Sequence, residues 1–241
     1  MSRFYYDFHI HSCLSPCADD DNTPNNIAGM AKLSEIDIMA LTDHNTCKNC
    51  PAFFEAARRY GIVPIAGMEL TTSEDIHAVC LFERLEDALA FSEEVEKRRI
   101  LIENRTDIFG NQFILDGEDN KIGEERYLLS NATTISIEDA PSLAQKFGGV
   151  CYPAHIDRDS NGIISVLGDF PPTPSFKCVE LHDMNKETEY TERYALSDKI
   201  VLFGSDAHYL TDIPERERYL ELEADASSEE SVRKALFKLL R

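Results

Sequence analysis

The chain has 241 residues, 43% of them hydrophobic and 28% charged, so it can bury a large core and is not globally disordered. Acidic residues outnumber basic ones 44 to 24, and the formal net charge of −20 argues against a surface that binds long nucleic acids. We find no apolar run long enough to span a bilayer and no signal peptide, so we expect a cytoplasmic protein. The seven cysteines, an odd number, are expected to be reduced thiols.

Seven short runs rich in β-branched or aromatic residues are predicted to be strands. In chain order they are Phe4–Ile10, Asp37–Thr42, Ile62–Glu69, Ile76–Phe82, Gly149–Ala154, Lys177–Leu181 and Ile200–Ser205. Helical patterns lie between or after them, at Asn26–Ser34, Ala52–Tyr60, Leu85–Glu103, Glu138–Phe147, Glu187–Ser197 and Ser228–Leu240. This alternation predicts right-handed crossovers and a parallel sheet, open or closed, in one α/β domain over residues 1–241.

Two regions interrupt the alternation. Asn104–Thr134 contains the turn-rich segment Asp116–Asn120 between Gln112–Leu115 and Tyr127–Leu129, so we interpret it as an inserted hairpin or small excursion. The second region, Asp157–Pro174, is predicted to be a loop because it combines glycines with prolines. From their place in the loop order, we expect both regions to wall the mouth of the site.

The histidines follow the predicted strands closely. All seven fall in these segments, and the strand without a histidine ends in a glutamate; the set is His9, His11, His44, Glu69, His77, His155, His182 and His208. A single strand histidine is more often a core or surface group than a ligand. Seven such coincidences are not credible, because active sites of parallel α/β folds lie at the carboxyl ends of the strands. Imidazole and carboxylate groups together suit a catalytic Zn²⁺, Mn²⁺ or Fe²⁺ site.

Other chemistries have little support in the sequence. There is no Gly-x-Ser-x-Gly elbow, no phosphate-binding P-loop and no dinucleotide fingerprint. Four cysteines lie in the loops after the first two predicted strands: Cys13, Cys17, Cys47 and Cys50. A structural metal or a redox pair is one interpretation of them, but plain loop thiols are the simpler one.

The motifs at these strand ends resemble those of the PHP (polymerase and histidinol phosphatase) superfamily. They are His9-x-His11, Thr42-Asp43-His44, Gly67-x-Glu69, His77, Ala154-His155 and Ser205-Asp206-Ala207-His208, in the family order. The resemblance covers nearly the whole chain. It implies a distorted (β/α)7 barrel, two or three divalent metal ions (zinc, manganese or iron) and hydrolysis of phosphate esters.

The resemblance also implies a set of metal ligands. One ion is expected on His9, His11, Glu69 and Asp206, and a second on Glu69, His77 and His155. A third is expected on His44 and His208, with one ligand from the loop after the first strand. Relatives carry His or Asp in that loop, whereas this chain has Cys17 and Asp19. Cys17 fits the spacing slightly better than Asp19, so the third site is the ambiguous one.

Four further residues are candidates for supporting roles. Asp7 and Asp43 are expected to fix the tautomers of metal-bound imidazoles, although either could instead cap backbone amides. Arg158, three residues after His155, is the candidate clamp for substrate phosphate, or else a surface arginine paired with a neighbouring aspartate. His182 lies outside the core motifs and is expected to contact substrate or to donate a proton.

These observations predict a metal-dependent phosphoesterase in which metal-activated water attacks the ester. The net charge of −20 favours a small phosphorylated metabolite or nucleotide over long nucleic acid, and no membrane partner is expected. Two alternatives stay open: a 3′–5′ exonuclease acting on short oligonucleotides, and a non-catalytic metal-binding regulatory module. Cleavage of a carboxamide is a more remote option.

Overall fold

The computed structural model describes residues 1–241 as an α/β fold. Its strands are β1 (Ser2–Asp7), β2 (Ile38–Leu41), β3 (Val63–Thr71), β4 (His77–Phe82), β5 (Phe113–Leu115), β6 (Lys121–Glu124), β7 (Gly149–Pro153), β8 (Cys178–Leu181), β9 (Ile200–Phe203) and β10 (Tyr219–Leu222). Its α-helices are α1 (Pro24–Leu33), α2 (Cys50–Tyr60), α3 (Leu85–Glu96), α4 (Thr106–Phe109), α5 (Ala140–Lys146), α6 (Ile163–Leu167), α7 (Glu187–Arg193) and α8 (Glu229–Leu240). All seven predicted strands and all six predicted helices are present, with shifted ends.

The strands form two main hydrogen-bonded sheets and one hairpin. The larger sheet has the order β10-β1-β2-β3-β4-β7, and β8 pairs with β9 in a second sheet. Strands β1, β2 and β3 run parallel, as do β8 and β9. Isolated contacts continue the larger sheet towards the smaller one: a bridge joins Ile10 to Ala207, and the Ile156 amide donates to the Glu180 carbonyl at 2.9 Å. The sheet is therefore curled, but the backbone ladder is not continuous around seven strands.

Two apolar cores cover the two faces of the larger sheet. Met39 and Leu41 of β2 pack with α1 and α2, whereas Ile38 and Ala40 face the core that contains α8. This alternation follows from the two-residue period of a strand. Because both faces are covered, β2 is buried along its whole length, which explains its near-continuous apolar sequence.

The expectation of an all-parallel sheet is wrong for β4. This strand runs antiparallel to both of its neighbours, β3 and β7. Only five residues connect Thr71 to His77, which is a hairpin length and too short for a parallel crossover. His77 therefore lies at the start of its strand, and the reversal brings it to the edge where β3 ends.

Several element boundaries also differ from the sequence predictions. Helix α3 stops at Glu96 instead of Glu103, because the β-branched segment after it is extended and bridges Glu103 to Tyr127. The hairpin turn lies at Asp116–Asn120 as predicted, but its second arm is β6 and not Tyr127–Leu129. Helix α6 lies within the region predicted to be a loop.

Strand β10 was not predicted. It is only four residues long, so its sequence carries a weak signal, and it forms by pairing with β1 at the edge of the sheet. No helix is both long and apolar enough to cross a membrane.

Candidate metal centre

The candidate site lies at one edge of the curled sheet. His9 and His11 follow β1, His44 follows β2, and a backbone bridge joins His44 to Glu69 in β3. The remaining members are His77 at the start of β4, His155 after β7, and Asp206 and His208 after β9. The fold thus brings together every histidine of the predicted ligand set.

Glu69 is the centre of this cluster. Its Oε1 atom lies 2.8 Å from His77 Nδ1 and 3.1 Å from both His9 Nε2 and His155 Nε2. Its Oε2 atom lies 3.0 Å from His44 Nδ1 and 3.3 Å from His11 Nε2. One buried carboxylate therefore contacts five imidazoles.

The donor atoms fall into three overlapping groups, each compact enough to hold an ion. They are His9 with His11, Glu69 and Asp206; His44 with Glu69 and His77; and His11 with His44 and His208. The first group is the one expected from the resemblance. In the second, His44 takes the place expected for His155, although His155 also contacts Glu69.

Cys17 lies beside the third group. Its Sγ atom is 3.1 Å from His208 Nε2, and local desolvation together with the carboxylates of Glu69 and Asp206 raises the pKa of its thiol to about 12. The Asp19 carboxylate instead accepts the Asp21 amide at 2.8 Å within its own loop. Of the two loop candidates, only Cys17 faces the cluster.

Burial and neighbouring charges shift the pKa values of the cluster in opposite directions. Burial opposes ionisation of Glu69, but the surrounding histidines outweigh it and hold its pKa well below the ordinary range. Burial likewise opposes protonation of His11, yet Asp206 and Glu69 raise its pKa to about 9. For His44 burial prevails and lowers the pKa to about 3. The site is therefore a dense set of charges and lone pairs that a cation would stabilise.

The hydrogen bonds of the imidazoles fit bound metal. His11 Nδ1 donates to Ser15 Oγ at 2.9 Å, since that hydroxyl donates to Asp43, and His208 Nδ1 donates to the Asp206 carbonyl at 2.7 Å. Both rings thus carry their hydrogen on Nδ1 and turn Nε2 towards the cluster, as metal-bound histidines commonly do. His44 Nδ1 and Glu69 Oε2 are buried without a hydrogen-bond partner, although they lie 3.0 Å apart. Buried polar atoms without a hydrogen-bond partner are expected where side chains serve as ligands of an ion.

The expected contacts of Asp7 and Asp43 with imidazole rings are not formed. Asp7 Oδ1 accepts the backbone amides of His9 and Ser205. Asp43 Oδ1 accepts the Ser12 amide at 2.7 Å and the Ser15 hydroxyl at 2.8 Å. Burial raises the pKa of both carboxyls. Asp43 therefore acts on His11 only through Ser15.

A polar cavity opens over the cluster. It has a volume of about 330 Å³, and no hydrophobic residue lines it. Its lining includes four histidines, Glu69 and Asp206, together with the segment from Arg158 to Asn161. Arg158 Nη1 pairs with Asp206 Oδ2, and Nη2 lies 3.2 Å from His182 Nδ1. His182 itself does not line the cavity, and its ring contacts the Arg158 guanidinium.

The insertion at Asn104–Thr134 does not wall the cavity as expected, since none of its residues lines it. It packs instead on the loop that carries Cys17: the Phe113 amide donates to the Cys13 carbonyl at 3.0 Å, and Asn111 Nδ2 donates to Asp20 at 2.7 Å. The second region, Asp157–Pro174, was also expected to wall the cavity. Only its first part does so, through Arg158 and the three residues after it.

Two residues of the site were missed by the sequence analysis. Glu180 in β8 contacts His9, and Ser15 joins Asp43 to His11. A glutamate within the buried strand Cys178–Leu181 was a usable signal, because an acid in such a run is almost always paired. Ser15 carried no comparable signal in the sequence.

Comparisons with known proteins agree with the predicted resemblance. The PHP domain family matches residues 7–127, half of the chain. A curated relative, an uncharacterised protein of Methanocaldococcus jannaschii, is 30% identical over 100 residues, which are 38% of this chain and 58% of that protein.

Solved structures share the fold at low sequence identity. The lesion-specific endonuclease EndoQ of Pyrococcus furiosus has a TM-score of 0.65 and 17% identity, over 99% of this chain and 56% of its own. A Bifidobacterium adolescentis protein named as a metal-dependent phosphoesterase has a TM-score of 0.62 and 16% identity, over 97% and 96% of the two chains. An amidohydrolase of Chromobacterium violaceum has a TM-score of 0.56 and 20% identity, over 90% and 91%.

The chain thus spans little more than half the length of the curated relative and of the endonuclease. The segment that matches the family carries five of the clustered ligand candidates, His9, His11, His44, Glu69 and His77. With half of its length matched by the family, the chain belongs to the PHP domain family.

Proposed function

We propose that this PHP domain is a metal-dependent hydrolase of small phosphate esters. The observation that carries the proposal is the triple set of donor groups around Glu69, at the floor of a polar cavity. Divalent ions bound there would lower the pKa of water and neutralise charge on phosphoryl oxygens. The proposed ligands are His9, His11, Cys17, His44, Glu69, His77, His155, Asp206 and His208.

Arg158 is the residue proposed to bind the substrate phosphate. Its side chain is 37% exposed, so it can reach a ligand in the cavity, while Asp206 and His182 hold its guanidinium in place. Burial and the neighbouring Arg158 lower the pKa of His182, which keeps its ring neutral and able to accept from the guanidinium. A fixed guanidinium is well suited to phosphate because it offers paired donors.

The shape and charge of the site favour a small substrate. A volume of about 330 Å³ lies at the lower end of the range of roughly 300–1,000 Å³ for small-molecule pockets. Arg158 is the one cationic side chain besides the histidines that lines it. With a net charge of −20, the rest of the surface would repel a polyanion.

The substrate proposal predicts a preference among phosphate esters. We expect kcat/KM for a mononucleotide or sugar phosphate to exceed that for a strand of about twenty nucleotides by at least about tenfold, and weak salt dependence for the small ester. The measurement compares mononucleotides, sugar phosphates, a dinucleotide and the long strand at two salt concentrations after loading with Mn²⁺. Faster cleavage of the long strand, with strong inhibition by salt, would contradict the proposal.

Hydrolysis of nucleic acid is the second candidate function. The fold similarity to EndoQ, which was also solved with a duplex carrying an abasic lesion, favours it. Preference for a dinucleotide over a monoester in the same assay would support a nuclease acting on short oligonucleotides. A protein that binds metal but hydrolyses none of these esters would instead be a regulatory module.

We also propose Cys17, and not Asp19, as the loop ligand of the third ion, because its sulfur meets His208 Nε2. Zinc K-edge absorption of the loaded protein should then show a sulfur neighbour at about 2.3 Å. Cys17→Ser should remove this signal and lower the zinc content by up to one ion per chain. The matched control Asp19→Asn should change neither quantity, and a sulfur signal that survives in Cys17→Ser would disprove the assignment.

The domain organisation is a proposal of the same kind. We propose that residues 1–241 form a single distorted (β/α)7 barrel with an insertion at 104–134. The bridge between Ile10 and Ala207 and the contact of Ile156 with Glu180 support it, because they link β9 to β1 and β7 to β8.

A further inference from the structure

Glu180 occupies an unusual place beside the metal centre. It lies in β8, its carboxylate is fully buried, and it lines no part of the cavity. Its Oε1 atom accepts from His9 Nδ1 at 2.7 Å and from the His155 backbone amide at 3.0 Å. One oxygen thus contacts residues of two separate strand ends, β1 and β7, where few backbone hydrogen bonds join the sheets.

Each of these contacts constrains a proposed ligand. The bond to His9 places the ring hydrogen on Nδ1 and directs Nε2 towards Glu69 and Asp206, at 3.1 and 3.3 Å. The bond to His155 holds a residue whose φ of 28° is in the left-handed region, where a non-glycine residue is strained. From that backbone, His155 Nε2 reaches Glu69 Oε1 at 3.1 Å.

Gly204 makes room for this arrangement. A Cβ atom at that position would lie 2.6 Å from Glu180 Cδ and 2.7 Å from His9 Cβ. Such contacts are too close for a real side chain, so any larger residue would push the carboxylate away from the imidazole. The absence of a side chain at Gly204 therefore permits the contact between Glu180 and His9.

We propose that Glu180 is a positioning residue that sets the tautomer of His9 and anchors His155, and so aligns ligands of two neighbouring ions at once. A carboxylate bonded to a metal-bound imidazole orients the ring and raises its basicity, and its loss commonly lowers metal affinity about 10- to 100-fold. This inference rests on the proposed metal-dependent function.

The test measures zinc affinity by competition with a chelator, together with the Tm of the metal-free protein. Glu180→Leu and Gly204→Ala should each weaken zinc binding about 10- to 100-fold, whereas Glu180→Gln, which keeps an acceptor oxygen, should stay within about fivefold of the native protein. The matched control is Asp157→Asn, because the buried Asp157 carboxylate caps the amides of His182 and Asp183 but contacts no imidazole ring. It should leave zinc affinity unchanged.

The outcomes separate the two proposals. Native protein that binds less than one zinc ion per chain would reject the metal centre itself. Native binding with unchanged affinity in the Glu180 and Gly204 variants would reject only the positioning role. Equal losses in Glu180→Leu and Asp157→Asn would also overturn it, as a general effect of removing a buried carboxylate. If Glu180→Leu does not fold, Gly204→Ala compared with Glu180→Gln gives the same decision.

Discussion

Replacing Glu69 with glutamine is expected to lower kcat/KM for the preferred phosphate ester by about 10³-fold or more, equivalent to about 4 kcal/mol. The carboxylate contacts His9, His77 and His155 through Oε1 and His11 and His44 through Oε2. An amide of the same shape keeps one acceptor oxygen but turns an NH₂ group towards two or three of these five nitrogens. It also removes the negative charge that two neighbouring cations would share.

Steady-state kinetics and elemental analysis of the same preparation test this expectation. Metal content should fall together with kcat/KM, because Glu69 is common to two of the three donor groups. Glu125→Gln is a matched control, since Glu125 is also buried but pairs with Lys48 away from the cavity. Near-native activity and metal content in Glu69→Gln would show that Glu69 does not bridge ions.

Removing the metal ions with a chelator is expected to abolish hydrolysis and to lower the Tm. An ion present at about 1,000 times its Kd stabilises the folded state by about 4 kcal/mol, which corresponds to about 8–16 °C for a chain of this size. Activity and Tm should both return when Zn²⁺ or Mn²⁺ is added back. Full activity after exhaustive chelation would contradict a metal-dependent mechanism.

The stability of the metal-free protein should fall both above and below about pH 6.5. The pKa of His11 is raised to about 9, so its contribution is complete below pH 6.5 and is lost as the pH rises towards 9. The pKa values of His44 and His208 are lowered to about 3 and about 4, mainly by burial. The unfolded chain therefore binds their protons more readily, and stability falls as the pH drops below 6.5.

Metal binding should change this pH profile. Bound imidazoles must be deprotonated, so rising pH removes the competing protons while the metal-free protein loses the stabilisation from His11. We therefore expect the difference in Tm between metal-loaded and metal-free protein to increase from pH 6.5 to pH 9. Thermal unfolding at matched ionic strength measures it, and a constant or decreasing difference would count against the protonation pattern of the cluster.

The strands and most ligand candidates could be recognised in the sequence because they depend on local pattern. Runs such as Asp37–Thr42 are apolar because both faces of a central strand are covered, and this property is visible in a single segment. The histidines stand out because an imidazole at the end of a predicted strand is rarely accidental when it recurs at six of seven strands. Net charge and composition likewise required no knowledge of the fold.

Contacts between distant segments could not be obtained in this way. The direction of β4 depends on the five-residue connection before it, and that reversal, not the strand pattern, places His77 beside Glu69. Glu180 meets His9 across 171 positions of sequence, and only the close approach permitted by Gly204 makes this possible. The orientation of Asp43 towards Ser15, and not towards a ring, follows from the path of one loop.

The residue types at the strand ends therefore indicated metal chemistry, since clustered imidazole and carboxylate donors are typical of catalytic metal sites. The order of the motifs along the chain indicated the PHP family, which the family match over residues 7–127 confirms. The choice of partner for each donor, such as Cys17 rather than Asp19 beside His208, arose from packing. A ligand set depends on differences of about an ångström between side chains from separate strands. Periodicity along a chain carries no information about such distances, because they are set by how the curled sheet and its loops pack in three dimensions.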